Sequence, residues 1–405
     1  LTMAYIVVVN PAILSTEGTG MTFNGVLTAT VLLCVTMTLL MGLYAKLPYA
    51  VAPGLGVNAF FTYTVILGHK VPWPQALGAV FWAGVLFLVT SLTPLREKAV
   101  RAIPRELRAA AAVGIGFFLT FIGLKNAGFI QGSPDTLVTV GPLGFEVQMC
   151  LLGLVILLIL YLRKSPFGFL AAIASLTVIG LWSGKVQWPE QLWSTPDFST
   201  EFFKLDLWGS LRWALLPTIV SIFFTDFFDS ISTFVGVAHA TGLVDPDGQP
   251  KNMKQGLIVD AFATLFAGLF GTSSGTAYIE SASGIEAGGR SGRSAVVTAL
   301  CFLPCFFIAP IAGMVPAYAT APVLVFVGFL MFRAIQEIEF DAIEKAIPSF
   351  LTIILIPLTF SITQGILWGF IAHVGMYWAT GKRKKIDPMM YGLCACCAIL
   401  LWVGY

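Results

Sequence analysis

The stretch PYAVAPGLGVNAFFTY, residues 48–63, sets Pro48, Pro53, Gly54 and Gly56 in the first half of an otherwise apolar run. Proline removes a helix donor and clashes with the preceding turn, and glycine weakens a helix interior, so this half cannot be regular helix. A second stretch, GTSSGTAYIESASG at 271–284, breaks in the same way, with Gly271, Gly275 and several hydroxyl residues before Tyr278. Extended backbone at membrane depth is tolerated only where protein or a cavity satisfies its freed polar groups. Two interrupted spans in corresponding places of two halves point to a binding site near mid-membrane.

The rest of the chain supplies the membrane context. Hydrophobic residues make up 57% of the 405 and charged ones 11%, with a mean hydropathy of +0.86; soluble domains carry about a quarter charged residues. Apolar runs long enough to cross a hydrocarbon core of about 30 Å recur throughout, whereas the ten-residue alternation of a β-barrel is not seen. This predicts an all-α polytopic membrane protein. A net charge of +2 without a concentrated basic stripe excludes a nucleic-acid partner. The seven cysteines lie mostly in apolar segments without zinc spacing, CACC at 394–397 included, and read as small buried hydrophobes. No metal or cofactor is expected.

Spans are expected at about 1–14, 25–45, 49–67, 74–93, 107–124, 145–162, 167–184, 209–238, 255–270, 271–288, 291–314, 320–336, 347–361 and 364–380, fourteen in all. The opening 14 residues rise only about 21 Å as helix, so the first span is expected to begin upstream. Residues 389–405 could form a short extra span, an interfacial helix or a buried tail. With a cytoplasmic N-terminus, 18 of the 23 Lys and Arg fall on the inner side, leaving Lys70, Lys125, Lys185, Lys204 and Arg212 outside. His239 and His373 near inner span ends, and His69 in an outer loop, are expected at the surface. The broken spans are third and tenth, hence third in each set of seven; because seven is odd, the second set would be inverted.

FFTDFFDSISTF at 223–234 then places Asp226 and Asp229 three residues apart on the eighth span, with Ser230 and Thr233 extending the face. Glu280 follows the break in span ten, and Asn58 holds the comparable place in span three. A carboxylate at mid-bilayer costs at least about 2.5 kcal/mol, and no basic residue inside the spans stands near to pair with these acids. They are expected to face a shared polar cavity and to exchange a proton with it.

TMAYIVVVNPAIL, PGLGVNAFF, FFTDFFDSISTFVGVAHATGL and GTSSGTAYIESASGIEAGGRSGR closely resemble the AzgA-like purine permeases, a branch of the nucleobase–cation symporters. The resemblance covers nearly the whole chain. It implies two inverted seven-helix repeats, split into a core domain (1–93 and 209–314) and a gate domain (107–184 and 320–405), with short strands in spans three and ten. It further implies a multi-pass plasma (inner) membrane protein, a homodimer, that imports hypoxanthine, guanine or adenine by proton symport and alternating access. Asn58, Asp226 and Glu280 would bind the base and Asp229 would couple it to the proton.

A purine offers ring N–H donors and flat faces, so carboxylate acceptors and aromatic rings suit it; Phe223, Phe227 and Tyr278 are candidates for stacking. Two rivals stand beside this reading. An intramembrane aspartyl enzyme needs acids from different helices and motifs absent here. An anion transporter of the same general fold, for sulfate or bicarbonate, needs a neutral or positive cradle, which three acids oppose.

Overall fold

The computed structural model describes residues 2–93, 103–245 and 250–403, with backbone alone at 239, 240 and 403. The basic-loop residues Arg96, Lys98 and Arg101, and the side chain of His239, lie outside the described residues.

The chain begins with α1 (Ile6–Leu14) and α2 (Phe23–Leu43). Helix α2 starts where Thr22 turns extended and its Oγ1 accepts from Gly25 N at 3.2 Å, a side-chain cap for an orphan donor. The first broken span follows as β1 (Val51–Pro53) and α3 (Leu55–Ala59), which widens into a π-helix over Phe60–Gly68. Next come α4 (Trp73–Leu92), α5 (Arg105–Asn126), the hairpin β2 (Ile130–Ser133) and β3 (Leu137–Val140), α6 (Phe145–Leu162) and α7 (Gly168–Trp182). The second half contains α8 (Leu216–Thr241), α9 (Met253–Phe270), β4 (Gly275–Ala277), α10 (Ser281–Glu286), α11 (Gly292–Phe302) and α12 (Ala309–Gly313). It closes with α13 (Ala317–Phe332), α14 (Ile343–Thr359), α15 (Ile362–Ala379) and α16 (Pro388–Val403).

Each expected span holds a helix or a strand followed by a helix. Seven helices, α2, α4, α5, α6, α8, α9 and α13, are long and apolar enough to cross a membrane among the described residues. Residues 389–405, left open by the sequence, are helical through Val403, and α16 packs against α15. The β2–β3 hairpin was not expected, because two four-residue strands are too short for alternation to register.

The strands β1 and β4 pair antiparallel, Val51 opposite Ala277, Ala52 opposite Thr276 and Pro53 opposite Gly275. Two strands leave two open edges, and side chains close them. Thr38 Oγ1 on α2 donates to Val51 O at 3.1 Å and lies 2.9 Å from Val51 N. On the other edge Asp260 Oδ2 of α9 accepts from Ala277 N at 3.0 Å, and at the end of the ladder Ser281 Oγ accepts from Ala50 N at 3.0 Å. This is how backbone without a helix persists in an apolar interior.

Helices α1, α2, α8 and α9 pack against the strand pair, with α4 on α9 and α11 on α2 behind them. A second set packs on itself, α5 against α13 and α14, α14 against α15, and α6 against α7 and α13. Small residues bring backbones together in both: a Cβ on Gly84 of α4 would lie 2.4 Å from Leu265 N, and one on Gly116 of α5 would lie 2.6 Å from Gly328 O of α13. The surface expectation for His373 is corrected. His373 is 4% exposed, its ring 4.4 Å from that of Tyr377 one turn on, because this face of α15 turns inward against neighbouring helices. The cysteine expectation holds for Cys34, Cys150 and Cys397, while Cys301 and Cys396 are exposed.

Candidate functional site

The strand pair brings the two broken spans edge to edge, and α8 runs against β4 and α10. Along α8, positions 226 and 230 are one turn apart and face α9 and β4: Thr264 Oγ1 donates to Asp226 Oδ2 at 2.9 Å, and Ser230 Oγ lies 3.2 Å from Thr276 Oγ1. Asp229 is rotated about 60° from Asp226 around the helix. It is half-buried where Asp226 is 1% exposed. The structure therefore resolves the single face expected from spacing into two settings, one sealed and one partly open.

Glu280 stands at the start of α10, half-buried, and Tyr5 donates its hydroxyl to Glu280 Oε1 at 2.7 Å. Asn58 on α3 is fully buried; Ser273 Oγ donates to its Oδ1, and its Nδ2 has no hydrogen-bond partner among the described residues. One amide donor is therefore left without a protein partner beside these carboxylates. Among the aromatic candidates, Phe223 and Phe227 stack on each other at 5.6 Å, and Phe227 meets Phe87 of α4 edge-on at 5.6 Å. Tyr278 directs its hydroxyl to Pro53 O across the strands. All three are buried.

Four residues absent from the sequence-derived site belong to its framework: Tyr5, Asp260, Thr264 and Ser273. Asp260 carried a signal, a lone carboxylate inside GLIVDAFATLFAGLF at 256–270, of the kind that singled out Asp226. Ser273 lay among the hydroxyl residues of the second break, which gave no partner for it; Tyr5 and Thr264 carried no signal, since a hydroxyl is ordinary in an apolar segment until its partner across the fold is known.

A model of the permease family, Xan_ur_permease, matches residues 1–367. The chain belongs to the nucleobase–cation symporter-2 permeases. This permease is 39% identical to the adenine permease AdeP of Escherichia coli over 96% of its own length and 87% of that protein. It is 38% identical to the guanine/hypoxanthine permease PbuG of Bacillus subtilis over 97% of its length and 92% of that protein. Among solved structures, the transmembrane domain of the cyanobacterial bicarbonate transporter BicA shares its fold, with a TM-score of 0.66 at 18% identity, over 91% of this permease and 95% of that chain. It is an integral membrane transporter and not an enzyme.

Proposed function

We propose that this permease imports the purine nucleobases hypoxanthine, guanine and adenine by proton symport. The observation that carries this reading is the junction itself: paired strands from the two broken spans, flanked by Asp226 and Asp229 on α8 and Glu280 beyond β4. The names of the relatives AdeP and PbuG support the substrate class. A neutral base with ring N–H donors matches acidic acceptors and the spare Asn58 amide, and a cradle of acids disfavours an anion.

Asn58, Asp226 and Glu280 bind the base in this proposal, and Asp229 couples it to the proton. The Thr264 bond fixes one oxygen of Asp226, which orients the carboxylate before the base arrives. Because Asp226 is 1% exposed, the base reaches it only once the surrounding helices part, as alternating access requires. Half-open Asp229 is the carboxylate better placed to take a proton from water. Tyr278, on the strand side, and Phe223 and Phe227 remain the proposed stacking rings.

The wider architecture is proposed with it. Fourteen spans form two inverted repeats, the self-packed sets α1–α4 with α8–α12 and α5–α7 with α13–α15 act as core and gate, and α16 travels with the gate. The protein is a homodimer of the inner membrane with a cytoplasmic N-terminus. Side-by-side uptake of labelled hypoxanthine, guanine, adenine, uracil and sulfate into proteoliposomes tests the reading. Purines should accumulate only with an inward proton gradient, the voltage term alone contributing about 2.3 kcal/mol per charge per 100 mV. Uptake of sulfate, or indifference to a protonophore, would sink it.

A further inference from the structure

Tyr5 joins two things that the proposed mechanism needs to move together. Its hydroxyl donates to Glu280 Oε1 at 2.7 Å, and its ring lies 4.6 Å from the ring of Phe169 at the start of α7. Phe169 in turn meets Phe326 of α13 edge-on at 5.9 Å. Glu280 belongs to the helices around the strand pair, whereas α7 and α13 belong to the second self-packed set. One of the contacts between the two sets therefore passes through the side chain that holds a site carboxylate. Tyr5 is fully buried, so its hydroxyl has no water to turn to, and an alternative rotamer would leave both the phenol and Glu280 Oε1 without this partner.

We propose that Tyr5 is a positioning residue: it holds Glu280 with one oxygen engaged and the other free to accept a base N–H, and its tilted ring contact with Phe169 makes that placement depend on how the two helix sets sit against each other. When the sets part, Tyr5 loses its ring partner and Glu280 loses its orientation, so release of the base and movement of the gate are one event. This rests on the nucleobase reading above, which makes Glu280 an acceptor.

The two contacts separate by substitution. Tyr5→Phe keeps the ring and removes the donor; Phe169→Leu keeps bulk and removes the ring partner. In nanodiscs, Tyr5→Phe should weaken hypoxanthine binding about tenfold or more, as loss of a hydrogen bond to a charged group does. Its uptake should show a raised KM with an unchanged maximal rate. Phe169→Leu should weaken hypoxanthine binding in the same sense, by less than Tyr5→Phe, and lower the maximal rate as well; parent-like binding and rate would overturn the link to the second helix set. A purely structural role for Tyr5 would lower yield and thermal stability without moving the Kd of the folded protein, and that result overturns the proposal. A ligand-free cycle of Tyr5→Phe and Glu280→Gln on thermal unfolding decides the link independently: non-additive effects support it and additive ones overturn it. Should the parent bind no hypoxanthine while the cycle is non-additive, the nucleobase reading fails and the Tyr5–Glu280 coupling stands.

Discussion

Thr264 Oγ1 lies 2.9 Å from Asp226 Oδ2 and 3.2 Å from Gly275 O, so one hydroxyl on α9 ties the sealed carboxylate of α8 to the backbone of β4. Asp226 is thereby registered to the strand pair and not simply to its own helix.

Thr264→Val keeps the shape and removes that donor. A buried carboxylate left without its partner costs about 1–3 kcal/mol or more, so unfolding temperature should fall and hypoxanthine binding should weaken. Thermal unfolding in detergent and isothermal titration on the same preparation check both.

The two aspartates should part under substitution. Asp226→Ala and Glu280→Ala should abolish measurable binding, each removing a charged acceptor worth about 1.5–3 kcal/mol. Asp229→Asn should bind nearly as the parent does and fail to concentrate substrate against a gradient. Binding lost in Asp229→Asn but retained in Asp226→Asn, with accumulation gone, would reverse the roles.

Gly275 sits where β4 crosses α9, and a Cβ there would lie 2.8 Å from the Ala263 Cβ and 3.1 Å from its carbonyl carbon. Gly275→Ala should therefore push the strand off α9, costing about 1–3 kcal/mol as overpacking does, with transport lost alongside. Gly284→Ala, where a Cβ meets nothing within 4 Å, is the matched control and should transport normally. Uptake and unfolding temperature for the pair give the answer.

A pH effect is expected in the loop between α7 and α8. Asp197 N donates to Thr28 Oγ1 of α2 at 2.9 Å, while its carboxylate accepts from Ser199 N at 2.8 Å and Thr200 Oγ1 at 2.8 Å. Partial burial pushes this carboxyl up, and the Ser199 and Thr200 bonds outweigh that and hold it below its ordinary value. A lowered folded-state value means its stabilisation is present above the unfolded pKa of about 3.9 and is lost as pH falls through the folded one. Hydrogen exchange of the Ser199 amide, corrected for intrinsic rate, should speed up below about pH 4, and Asp197→Asn should remove that dependence.

Much of this protein was legible in the sequence because a bilayer imposes simple rules on it. The length of apolar runs set the helices, Pro53 and Gly54 marked the break before α3, Gly271 and Gly275 marked the one before α10, and the cost of a charge in lipid singled out Asp226, Asp229 and Glu280. The tertiary structure decided what local rules cannot express. Spacing put Asp226 and Asp229 on one face, but only the packing of α9 sealed the first while leaving the second half-open. Asp260 became the edge partner of Ala277, His373 turned inward, and Tyr5 found Glu280 from the far end of the chain. In each case a hydrogen bond or a buried face depends on two segments distant in sequence, and its energy exists only after they meet.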